Sequence, residues 1–162
     1  MTWTIGVDVG GTFTDFHARD DASGREVVFK RPSTPSDPGK AILAGRPDDQ
    51  VARLLNRVGL QRVTGRSIAT PAALKTALAT TRAMGFAVDD EEHAVGLRCV
   101  ASALYDEHGD PIAAVSVSGP AARVTDERIP ALGKLVRSVA AEATQALGGV
   151  LPAWAQRHRD SA

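Results

Sequence analysis

Cysteine, aromatic side chains and surplus charge are all scarce in this 162-residue chain. Each scarcity narrows what it can be. A single cysteine, Cys99, excludes an internal disulfide framework and suits a reducing cytoplasm, the compartment expected here. Lysine and arginine (19) balance aspartate and glutamate (19), so no long-range field draws the chain to DNA or to an anionic membrane. Direct nucleic-acid binding is therefore not expected. Met1 leads into a strand-like segment without a cationic start, and no long apolar run follows, so neither a signal peptide nor a membrane span is expected. With aromatics at 4%, any core must be packed from small aliphatic side chains. There is length for one ordinary domain and too little for two complete ones. The chain shows no internal repeat and no low-complexity tract.

What is present reads in order. "WTIGVDV", "TFTDFHA" and "REVVFK" are β-branched and apolar segments, with the turn cluster "DDASG" before the last, so Trp3 to Lys30 predicts a three-stranded antiparallel meander. "RPSTPSDPG" then interrupts, because Pro32, Pro35 and Pro38 forbid regular helix and central strand; it is the one clear linker. Val51, Leu54, Leu55 and Val58 recur at helical spacing behind Asp48 and Asp49. A second helix starts with Thr70 as N-cap and Pro71 at N1 and stops at Gly85. "FAVDDEE" is a short strand running into an acidic stretch, and "LRCVASALY" and "PIAAVSVS" form a hairpin about "DEHGD". The last helix runs from Thr125 to Gly148 and Gly149, with Ile129, Leu132, Val136, Val139, Ala143 and Leu147 as its core stripe. The tail from Val150 lacks periodicity and is expected to be loose.

"IGVDVGGTFTD", residues 5 to 15, places a carboxylate, Asp8, at a strand end. Gly10 and Gly11 allow a tight turn and close backbone approach, and Thr12 and Thr14 add hydroxyl donors. With the downstream "RPSTPSDP", residues 4 to 38 resemble the N-terminus of the hydantoinase/5-oxoprolinase A-subunit family, in which such a loop faces a nucleotide phosphate or the substrate. No second glycine-rich phosphate segment follows, and the reading is of a phosphate-loop-like hairpin without catalysis.

"GKAILA", "GFAVDDEEHAVGLRCVA", "YDEHGDPIAAVSVSGPAARVTDERI" and the closing helix to "ALGG" carry a second, longer resemblance, from Gly39 to Gly149, to the effector-binding domain of IclR-type transcriptional regulators. It implies an α+β, GAF-like antiparallel sheet with flanking helices, here truncated and preceded by the meander, that holds a small metabolite in a cup on one side. The residues are compatible on their own account. If the turn pairs Tyr105 with Ile112, Cys99 lies opposite Ser118 and Ala101 opposite Ser116, a cluster of small polar and small apolar groups. A slip of one residue would send the two sets to opposite faces. Hydroxyls, a thiol and nearby amides suit a small carboxylate in an apolar cup.

By that resemblance the pocket positions fall on Asp89, Cys99, Ser116 and Ser118, and the implied ligands are small 2-oxo acids such as glyoxylate and pyruvate. The positions before "GKA" are typically glycine and alanine in the family, closing the cup with their amides. Here they are Asp37 and Pro38. Proline has no amide hydrogen and aspartate adds a like charge, so both weaken anion binding. "GKAILAG" fits either parent, which places the seam of the apparent fusion within Pro38 to Gly45. His93 with Asp90 and Glu92 suggests a metal site only superficially, since consecutive residues rarely converge on one ion; a solvated acidic turn is the expectation, with Arg98 paired to it. The chain thus reads as three parts: residues 1–38, a partial effector domain at 39–149, and a tail at 150–162. It is expected to be a non-enzymatic carboxylate sensor needing no cofactor or metal, self-associating or joining a full-length IclR-type regulator in mixed assembly. The competing readings are an inert fusion and a fragment of an ATP-dependent hydrolase.

Overall fold

The structure is a computed structural model that describes residues 3–9, 13–20, 22–23, 26–32 and 39–158. It divides into two compact units, Met1–Thr34 and Pro35–Ala162. In the first, β1 (Trp3–Val9), β2 (Phe13–Asp20) and β3 (Glu26–Pro32) form the antiparallel meander the sequence predicts. Ile5 faces Ala18 and Phe16 faces Phe29 across the ladders. Pro32 closes β3, where a missing N–H costs least.

The second unit is an α+β domain. Its elements are α1 (Gly39–Ala44), α2 (Asp48–Val58), α3 (Pro71–Met84), β4 (Ala87–Asp90), β5 (Leu97–Tyr105), β6 (Pro111–Pro120), α4 (Ile129–Ala146) and α5 (Ala153–Gln156). The signals read for α3 operate as expected: the Ala73 N–H donates to Thr70 Oγ1 at 3.2 Å, and Gly85 takes the left-handed conformation at φ 78° with its N–H on the Thr81 carbonyl. Strands β4, β5 and β6 make one antiparallel sheet in that order. Along β5, Val100 looks to one side, packing with Phe86, Val124 and Val136, where Ile129 and Leu132 bring in the α4 region. Cys99, Ala101, Ala103 and Tyr105 look to the other side, with Ala41 of α1 packed against them.

Three sequence expectations change here. The hairpin register holds through Cys99↔Ser118 and Ala101↔Ser116, but a bulge between Leu104 and Tyr105 sets Tyr105 opposite Pro111 and not Ile112. The buried face of α4 is Gly133, Val136, Ala140 and Thr144, whereas Val139 and Leu147 are 40% and 66% exposed. The helix meets the sheet with its smallest residues because it lies close: a Cβ on Gly133 would stand 2.4 Å from the Phe86 ring. Finally, the segment read as loose packs as far as His158, with Leu151 and Trp154 against the core and the Trp154 and Tyr105 rings edge to face at 6.3 Å. Among the described residues no helix is long and apolar enough to cross a membrane.

Candidate functional site

The sheet register assembles the candidate residues. Asp89 pairs with Cys99 and Cys99 with Ser118, so these three form one row across β4, β5 and β6. Ala87, Ala101 and Ser116 form the next row on the same face. Directly opposed residues in antiparallel strands share a face, and strands lie about 4.8 Å apart, so each row spans roughly 10 Å. The two serines stand about 7 Å apart along β6, and the row between, Val88, Val100 and Val117, points to the other face.

Burial divides the patch. Asp89 and Cys99 are 4% and 2% exposed, while Ser116 and Ser118 are open to solvent. The cover over the closed half is α1, whose Ala41 packs beside Ala87, Cys99 and Ala101. This one-and-a-half-turn helix is too short to hold its place by propensity, and it is pinned at both ends. At its start Lys40, a residue 6% exposed, donates from its ammonium to the Val88 carbonyl and to Glu92 Oε1. At its end Arg82 of α3 donates from Nε to the Ala44 carbonyl at 2.7 Å and from Nη2 to the Arg46 carbonyl at 3.0 Å.

The turn beyond β4 is tied down as well. The Glu92 N–H donates to Asp89 Oδ1 at 2.8 Å, which fixes the Asp89 carboxylate at the mouth of the turn. Thr64 Oγ1 donates to the Glu91 carbonyl at 2.7 Å and Ser67 Oγ to the Glu92 carbonyl at 2.6 Å. Burial is the main influence on the Glu92 carboxyl and pushes it above the usual carboxylate range, with the Asp89 charge adding to that, against the opposing pull of Lys40. Arg98 pairs with Asp90 at 2.5 Å, as the sequence suggested, and also with Asp126 at 2.8 Å. Hence "DDEEHA" is a cross-linked turn, not the solvated one expected. Among the described residues no group of His, Cys, Asp and Glu is arranged to hold a metal ion.

Sequence reasoning missed Lys40, although "GKA" was in view. A lysine is ordinarily a surface residue, and its partner lies 52 positions away. Of the phosphate-loop-like set, Gly10, Gly11 and Thr12 lie outside the described residues, as do Asp37 and Pro38 of the cup. Asp8 and Thr14 sit on the β1 and β2 ladder, paired with Asp15 and Val9.

Comparison with known proteins bears on residues 32–145, which match the family model described as "Bacterial transcriptional regulator IclR C-terminal". The acetate operon repressor of Salmonella typhimurium is 50% identical over 120 residues, 74% of this chain and 44% of that protein. The chain thus spans less than half the length of that relative. Among solved structures, the IclR of Thermotoga maritima superposes with a TM-score of 0.70 at 28% identity, over 90% of this chain and 61% of that one. The C-terminal domain of the Escherichia coli transcriptional regulator KdgR gives 0.67 at 29% identity, over 90% of this chain and 87% of that one.

Proposed function

The chain belongs to the IclR family of bacterial transcriptional regulators through its C-terminal, effector-binding domain, and from that premise we propose that Asp89, Cys99, Ser116 and Ser118 orient a small 2-oxo acid. Glyoxylate and pyruvate are the representative ligands. The observation that carries the reading is the register, which gathers all four residues on one face of the sheet. The two exposed hydroxyls supply donors for a carboxylate, beside the small-residue cluster of Cys99, Ala87 and Ala101 on which Ala41 packs. Lys40, committed to Val88 and Glu92, acts by holding α1 over that cluster. The protein is a sensor, not an enzyme, and it works by self-association or by mixed assembly with a full-length regulator.

Thermal melts with pyruvate, glyoxylate, propionate and ATP test this, because a ligand that binds only the folded state raises the melting temperature. The 2-oxo acids should stabilise the protein, propionate less, and ATP not at all. The Ser116→Ala/Ser118→Ala double variant should lose the response while melting normally without ligand, since both side chains are exposed. A response that survives this double change, or none to any 2-oxo acid, removes the proposal.

A further inference from the structure

A cavity of about 330 Å³ opens at the far end of the same sheet, and none of the four residues above lines it. Its floor is the stretch of β5 beyond the end of β4, at Ala103 and Tyr105, and its walls are α4 and the segment of residues 151–158. Trp154 stands at one side with its ring edge to face against Tyr105. On α4, Lys134, Arg137 and Glu142 line the opening, two cations against one carboxylate, and the carboxylate accepts a hydrogen bond from Ser138 at 3.1 Å. The lining is therefore positive by one charge before His158 is counted.

Arg137 and His158 are held in place there by the end of α3. Arg137 Nη1 donates to the Met84 carbonyl at 3.2 Å. His158 Nε2 lies 3.0 Å from the Arg82 carbonyl, which can only accept, so that nitrogen carries the proton. Both side chains lie over Gly85, where a Cβ would come within 2.8 Å of Arg137 Cδ and 3.0 Å of His158 Cδ2. A guanidinium has five donors in a planar fork, and the Met84 carbonyl is its one partner among the described residues.

We propose that this cavity is a second ligand site, for an aromatic monocarboxylate, with Arg137 and Lys134 taking the carboxylate and Trp154 and the β5 alanine flanking the ring. The volume lies near the lower end of the range for small-molecule sites, about 300 to 1,000 Å³, which suits a single ring and not a nucleotide. Apolar walls with few convergent charges are the usual make-up of such a site. The ligand differs from the 2-oxo acids in size and in its need for an aromatic surface, so the two sites are separable.

Benzoate is the probe, with benzyl alcohol as its uncharged counterpart. The sequence holds two tryptophans, Trp3 and Trp154, so a Trp3→Phe background reports on the cavity by fluorescence. Benzoate should quench saturably and benzyl alcohol bind about fivefold more weakly or worse, and Arg137→Met and Lys134→Met should each cost about fivefold or more. Because Arg137→Met also frees a helix-end carbonyl, Ala141→Phe, which fills the cavity from a half-buried position, is the second variant and should abolish the benzoate signal while leaving the pyruvate melt unchanged. Equal binding of the two probes, benzoate binding undisturbed by Ala141→Phe, or benzoate binding lost with Ser116→Ala/Ser118→Ala would each overturn the assignment. The last result would place benzoate on the serine row, and a failure of pyruvate alone would leave the cavity intact.

Discussion

Replacing Lys40 by methionine tests whether α1 is clamped over the site by charge. The substitution keeps much of the aliphatic stem and removes the ammonium that serves both Val88 and Glu92. Breaking a buried ion pair by deleting one partner costs about 3 to 5 kcal/mol, because the survivor is left desolvated. The side chains of Lys40 and Glu92 are 7% and 15% exposed, so Glu92 recovers some hydration and the lower figure, about 3 kcal/mol, applies. At roughly 3 to 4 °C per kcal/mol for a domain of this size, the melting temperature falls by about 10 °C. The pH dependence has a definite sign. Glu92 ionises above its ordinary value of 4.5 in the folded state, so its contribution favours folding when protonated and is lost as pH rises through the raised value. Without Lys40 that value climbs further, and the penalty of Lys40→Met is largest near neutrality and shrinks as pH falls toward 4.5. Paired calorimetric melts of both proteins at several pH values measure the difference directly, and Lys40→Met/Glu92→Gln should recover most of the loss. A penalty that is the same across the pH range, or below about 1 kcal/mol, would refute the clamp.

Three further outcomes are expected. Thr70→Ala removes the acceptor for the Ala73 N–H and should cost about 1 kcal/mol by urea denaturation, with Thr70→Ser near neutral. Gly133→Ala drives a methyl group to 2.4 Å from the buried Phe86 ring; about 1 kcal/mol of helix propensity offsets part of the overpacking, leaving a net loss of about 1 to 2 kcal/mol in the same assay. Cys99, at 2% exposure, should react with N-ethylmaleimide on the order of 100-fold more slowly in the native protein than in urea, followed by mass spectrometry, and equal rates would contradict its burial.

Strand alternation, with its period of two, put Cys99, Ser116 and Ser118 on one face once the hairpin turn was paired, whereas Asp89 came only from the family resemblance. The Thr70 and Gly85 caps were legible for a similar reason, since each acts through its own local backbone. What escaped depends on distance along the chain or on close contact. The bulge at Leu104 and Tyr105 inserts one residue without altering composition. Two members of the expected stripe, Val139 on α4 and Leu147 at its C-cap, lost the core to Gly133, Ala140 and Thr144, because a helix lying tight on a sheet favours small volume at the contact. Trp154 has no periodic context and is placed by Tyr105, about fifty positions earlier.

The uneven burial of the patch also limits how tightly the proposed site would hold a 2-oxo acid. At the proposed site Asp89 and Cys99 are closed under α1, while the serine half faces water and would leave one side of a bound acid hydrated. The best very small ligands reach about 1.5 kcal/mol per non-hydrogen atom, and a half-exposed site delivers about half of that. For pyruvate, with roughly half a dozen such atoms, this gives about 4 kcal/mol, or a dissociation constant on the order of 1 mM. At about 10 mM pyruvate the folded state then gains about 1.4 kcal/mol, a rise of roughly 5 °C in melting temperature. A rise several times larger would mean that the serine half closes around the ligand, through another copy or another segment. In that case the shift should grow with protein concentration if the closing element is a second copy and stay constant if it belongs to the same chain.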